Sequence, residues 1–146
     1  MKSIFPRAIL MAVLVLGPAA SHAAPETDAE VTAHEAVLDL AGAFTNDGFK
    51  LRDGDFAGTL QTGQSAVIQV NLYAGNEYWF SVATSDPKTA VSINLYDEGG
   101  TLLKTDPFSD PHRAAAGFSP ATSGPYYVRI ANPGPAATFC LIYSYK

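Results

Sequence analysis

Cysteine is nearly absent: the 146 residues hold one, Cys140, so no intrachain disulfide can form and stability rests on packing. It sits in Thr138-Phe139-Cys140-Leu141-Ile142, an alternating pattern that reads as a strand carrying a small buried hydrophobe. Histidine is almost as scarce. Beyond His22 there are only His34 and His112, and neither H-x-x-x-H nor C-x-x-C occurs, so no zinc site is specified. Ser109 and Ser119 lie near His112, but no nucleophile-elbow phrase surrounds either. No pair of convergent titratable groups can be argued, and the expectation is a protein that is not an enzyme. Positive charge is also sparse: nine Lys and Arg stand against fourteen Asp and Glu. Nucleic acid and anionic lipid are therefore excluded as partners on electrostatic grounds.

Long apolar runs are missing after the first residues. Lys2 and Arg7 flank the start of an apolar stretch over residues 8–16, Gly17-Pro18 breaks it, and Ser21-His22-Ala23 supplies small residues for cleavage. This is the layout of an export signal cut after Ala23, too short to remain as a spanning helix. No cysteine follows it to accept a lipid, so a periplasmic or secreted chain without a membrane anchor is expected. Removing residues 1–23 takes away two cations, leaving seven Lys and Arg against fourteen Asp and Glu, a net charge of −7. What remains is enough for one domain with one core.

Residues 24–47 read as an acidic leader containing a helix over 28–41. Glu26, Asp28 and Glu30 suit the positive end of a helix, and Val31, Val37, Leu38, Leu40, Ala41 and Phe44 form an apolar stripe. From Phe49 onward the period is two. Strands are expected at 49–52, 56–60, 66–72, 78–83, 91–95, 114–118, 126–130 and 138–145, with a weaker one at 102–104. Residues 106–112, with Pro107, Asp110 and Pro111, read as a long loop. Eight or nine antiparallel strands without crossover helices predict an all-β sandwich of jelly-roll type over residues 48–146.

Four phrases in this region resemble a known family. Phe56-x-Gly58-x-Leu60 followed by Val70-x-Leu72-x-Ala74-Gly75-x-x-Tyr78-x-Phe80 resembles the opening of the bacterial pre-peptidase C-terminal (PPC) domain. Leu95-Tyr96-Asp97-x-x-Gly100-x-Leu102 is similar to its "LYDxxG" hairpin, and Ser123-Gly124-x-Tyr126-Tyr127-Val128-Arg129-Ile130 to its "sGxYyvrV" strand. Cys140-Leu141-Ile142-Tyr143 takes the place of its closing strand. The resemblance implies a secreted, non-catalytic jelly-roll module, related to those that bind collagen and use calcium in bacterial collagenases. Many members carry an acidic "GDxD" before the third strand, where this chain reads Gly63-Gln64-Ser65-Ala66. That departure removes the support the resemblance would lend to a calcium site.

Candidate site residues follow from chemistry. Trp79 is out of phase with Tyr78 and Phe80 and is expected on an outer face shared with Tyr73, Tyr143 and Tyr145, an aromatic platform for sugars or extended peptides. The competing reading buries these rings under the helix or the other sheet. For calcium, which needs six to eight oxygens, the candidates are Asp53 with Asp55, Asp97 with Glu98, and Asp106 with Asp110, which Glu26, Asp28 and Glu30 of the leader could join, against the plainer reading of turn carboxylates. No cofactor is expected. The functional expectation is a binding module for a protein, peptide or polysaccharide, the alternatives being an accessory subunit of a separately encoded exported enzyme or a calcium-stabilised adhesion module. Oligomeric state has no signature in the sequence.

Overall fold

The computed structural model describes residues 24–146. The expected export signal, residues 1–23, lies outside the described residues. One helix, α1 (Asp28–Thr45), precedes nine strands: β1 (Lys50–Leu51), β2 (Phe56–Leu60), β3 (Ser65–Leu72), β4 (Tyr78–Thr84), β5 (Ser92–Tyr96), β6 (Asp106–Ser109), β7 (Arg113–Phe118), β8 (Gly124–Ala131) and β9 (Ala137–Tyr145).

The helix begins with a reciprocal cap. Thr27 Oγ1 accepts from the Glu30 N–H at 3.2 Å, and Glu30 Oε2 accepts from the Thr27 N–H at 2.7 Å. It runs a turn past the expected end at Ala41, through Gly42 to Thr45. Tertiary packing overrides the glycine there: the Phe44 ring stacks on Trp79, centroids 4.2 Å apart and planes 9° from parallel. The face also differs from the expected stripe. Ala33, Val37, Leu40 and Ala41 are buried, while Val31 and Leu38 face solvent.

The strands form two antiparallel sheets. The larger runs β1-β9-β4-β7-β6 with β2 also on β9, and the smaller runs β3-β8-β5. Pairings are nested: β2 with β9, β3 with β8, and β4 with β7. A ribbon folded at its middle and wrapped onto itself has this pattern, which makes the sandwich a jelly roll. Residues 106–109 correct the expected loop. They form β6, whose Phe108 lies opposite Ala115, and Pro107 is tolerated because β6 is an edge strand. The weak strand at 102–104 reduces to a single bridge between Tyr96 and Leu102.

Alternation then builds two apolar layers. Tyr78, Phe80, Val82, Leu141 and Tyr143 of the large sheet pack against Val70, Leu72, Leu95, Val128 and Ile130 of the small one. Each fully buried aliphatic of this kind stabilises the fold by about 1.5–3 kcal/mol. The intervening positions Ala83, Cys140 and Ile142 point the other way and meet Ala33, Val37 and Ala41 of α1. The result is three layers, helix over large sheet over small sheet. One outer face is roofed and the other is bare.

Candidate functional site

β1 and β2 are one edge strand broken by a bulge. Leu51 pairs with Ser144 and Phe56 with Leu141, so the four residues 52–55 oppose only Ile142 and Tyr143. Gly54 turns this loop with φ at 92°, a conformation that favours glycine. The bulge throws Arg52, Asp53 and Asp55 outward and opens a cleft of about 330 Å³ against Gln69, Asn71, Tyr73 and Tyr143. Tyr78, Asn76 and Tyr145 continue its lining. The volume suits one side chain or one sugar ring.

Inside the cleft the groups are held firmly. The Arg52 N–H donates to the Tyr143 carbonyl at 3.0 Å, and the guanidinium carbon stands 5.7 Å from the centroid of the Tyr143 ring. Burial raises the Tyr143 phenol above the ordinary tyrosine range, with Tyr78 adding to the effect against the opposing charge of Arg52. Tyr78 Oη accepts from the Tyr73 N–H at 3.0 Å and from Asn76 Nδ2 at 3.2 Å, which fixes the turn that carries Tyr73. The Tyr73 ring itself is 61% exposed at the rim.

The expected aromatic platform is therefore corrected. Tyr73 and Tyr145 are exposed at the cleft, but Tyr143 is 8% exposed and belongs to the core between the sheets. Trp79 is on the outer face of the large sheet, as its phase required, yet that face is roofed. Its ring is held between Phe44 above and the α-carbon of Gly117, where an added β-carbon would come within 2.9 Å of the indole. With Phe44 stacked on it and Gly117 close against it, Trp79 is only partly exposed.

The acidic candidates do not converge. Asp53 and Asp55 line the cleft, whereas Asp97 and Glu98 line a separate shallow pocket with Thr122, Ser123 and Tyr126. Asp97 Oδ1 accepts from the Thr101 N–H at 2.8 Å and closes its own hairpin. Asp55 Oδ2 accepts from Cys140 Sγ at 3.4 Å. Among the described residues no three His, Cys, Asp or Glu side chains are gathered as a metal would need. Burial first, and then Asp55, push the Cys140 thiol up to about 12. His34 lies in α1 and His112 in the bend before β7, each beside a carboxylate, Glu26 at 3.9 Å and Asp110 at 3.7 Å.

The bare face of the small sheet was not singled out in the sequence. Gln69 of β3, Tyr127 of β8 and Tyr96 of β5 lie in one cross-strand row, and Val67, Arg129 and Asn94 form the next. The phase of Tyr127 against buried Tyr126 was readable, but its companions depend on strand pairing. Neighbouring strands stand about 4.8 Å apart, so the two tyrosines form one patch. Among the described residues no helix is long and apolar enough to cross a membrane.

No family model and no curated protein matches this chain. Among solved structures it is similar to a de novo designed double-stranded β-helix, with a TM-score of 0.35 and 16% identity over 62% of this chain and 97% of the other.

Proposed function

We propose that the chain is an exported, non-catalytic binding module that takes a protein, peptide or polysaccharide across the outer face of its three-stranded sheet. One observation carries the reading. Of the two outer sheet faces, α1 covers one, and the other presents Tyr96 and Tyr127 side by side among Gln69, Asn94 and Arg129. Flat aromatic and amide groups with one guanidinium suit an extended polymer that stacks and hydrogen-bonds at once. The adjoining cleft, with Tyr73 and Arg52, would receive a single projecting group. The resemblance of Leu95–Leu102 and Ser123–Ile130 to the pre-peptidase modules supports the same reading.

Calorimetric titration with soluble cell-envelope polysaccharides and matrix-derived peptides tests it. Tyr96→Ala and Tyr127→Ala are each expected to weaken binding about tenfold, as central aromatic anchors do, while the thermal midpoint holds. Binding that survives both substitutions unchanged would sink the proposal.

A further inference from the structure

The two sheets have four free edges, and three are blunted. The β1–β2 edge is broken by its charged bulge. β6 has only four residues, with Asp106 and Pro107 among them. β5 is partly covered by the returning chain: the Leu103 N–H donates to the Leu95 carbonyl at 2.9 Å, and Tyr96 bridges Leu102. β3 is different. It runs eight residues, Ser65–Leu72, without a charge, a proline or a bulge. Among the described residues its backbone is hydrogen-bonded to β8 alone.

Which groups face outward follows from the ladder. Asn132 donates to the Gln64 carbonyl at 3.0 Å, so the alternation of an antiparallel pair turns Ala66, Ile68, Val70 and Leu72 toward β8. The N–H and C=O groups of Ser65, Val67, Gln69 and Asn71 then point at the open edge. Their side chains are exposed, Val67 at 60%. Natural sheets normally suppress such an edge, because it is a template for another strand.

We infer that the β3 edge takes up an extended segment of a partner polypeptide, neutral to basic in charge, as an added strand of the small sheet. A periodic row of alternating amide donors and acceptors is matched by a polypeptide main chain in β conformation. Charge selects the kind of segment. A second copy of this chain brings the same excess of fourteen acidic over seven basic residues in 24–146, and would be repelled. Asp53 lines the cleft beside Gln69 and Asn71, at the end of β3, and would receive a lysine or arginine of the incoming strand, with Asp55, whose Oδ2 accepts from Cys140 Sγ, adding negative charge. Arg52 lines the same cleft, so its one positive charge offsets only one of the two carboxylates. This inference rests on the binding-module reading but uses the edge of the sheet, and its test separates the two.

Random peptides long enough to span the eight residues of β3, displayed on phage, are selected on the full chain. The sequences retained are expected to alternate β-branched residues and to carry a terminal Lys or Arg. Val67→Pro and Gln69→Pro remove outward N–H groups while leaving the bonds to β8 in place, and are expected to weaken the retained peptides at least about tenfold, whereas Val67→Ala and Gln69→Ala, which strip the same side chains from the face, are not. Tyr127→Ala, which strips the face and leaves the edge intact, should weaken them less than the proline variants do. Loss on Tyr127→Ala but not on the proline variants would overturn the edge while upholding the face. Amide exchange gives a second readout: Val67, Gln69 and Asn71 should exchange fast in the dilute free chain, slow to exchange once peptide is added, and Ile68 should be protected throughout. Selection that retains no peptide, protection of the outward amides in the dilute free chain, or protection that grows with protein concentration alone would each overturn the inference.

Discussion

Gly117 and Trp79 set the tolerance of the roofed face at the scale of single residues. A methyl group at position 117 would meet the indole at 2.9 Å, and Phe44 stacked on that ring hinders its shift. Gly117→Ala is therefore expected to cost about 1–3 kcal/mol in urea unfolding. Cys140 is 0% exposed, and its raised thiol pKa leaves almost no thiolate near neutrality. A thiol reagent at about pH 8 should leave the native chain untouched and label it fully in denaturant. Asp110 is a pH-sensitive position. Burial opposes its ionisation, but hydrogen bonds from the Arg113 side chain and from the His112 and Arg113 N–H groups outweigh this and hold the carboxyl below its ordinary range. Its folded pKa is thus below its unfolded one, so its contribution is complete above the unfolded value of about 4 and is lost as pH falls through the folded one. Between about pH 6 and pH 3 the wild type should lose more stability than Asp110→Asn, read as the shift in denaturation midpoint.

At the scale of elements, α1 is held by packing on one side and opposed by polar burial on the other. Ala33, Val37 and Ala41 fill the space over Ala83 and Ile142, and Arg113 ties Asp39 of the helix to β7 at 2.7 Å. On the large sheet, however, Ser81 and Ser144 bury hydroxyls that have no hydrogen-bond partner among the described residues. Replacing such a group by a methyl removes a desolvation penalty, so Ser81→Ala is expected to stabilise the fold by about 1 kcal/mol. Destabilisation in thermal melts would show that the hydroxyl is satisfied in solution. The strands were legible because period two is local: Val70 and Leu72, or Phe80 and Val82, announce their faces without knowledge of their partners. The helix was less so, since Gly42 is a stop signal only until Phe44 finds Trp79 across the layer. β6 was misread because Pro107 and the flanking aspartates are loop residues in isolation, and only pairing with β7 makes 106–109 a strand. The cleft was partly legible for a similar reason. Tyr73, Tyr145, Asp53 and Asp55 carried a visible chemistry, but Arg52 joins them through a bulge set by β9, which no local pattern encodes.

The whole molecule is organised by contacts between distant parts of the chain. Leu60 pairs with Ala137 and Leu72 with Gly124, so loops of more than fifty residues must close before the ladders exist. Folds of this kind form in about milliseconds to seconds, slower than helical bundles of similar size. Stopped-flow refolding followed by Trp79 emission should fall in that range, and a microsecond phase carrying the full amplitude would contradict the nested pairing. β9 has a particular place in this order. It sits in the interior of the large sheet, flanked by β1 and β2 on one side and by β4 on the other. A ribosome reaches residues 137–145 after every other strand has been made, so the growing polypeptide lacks its keystone until that moment. Until then, among the described residues, β1 and β2 have no partner and β4 has only β7, so the large sheet stays split in two.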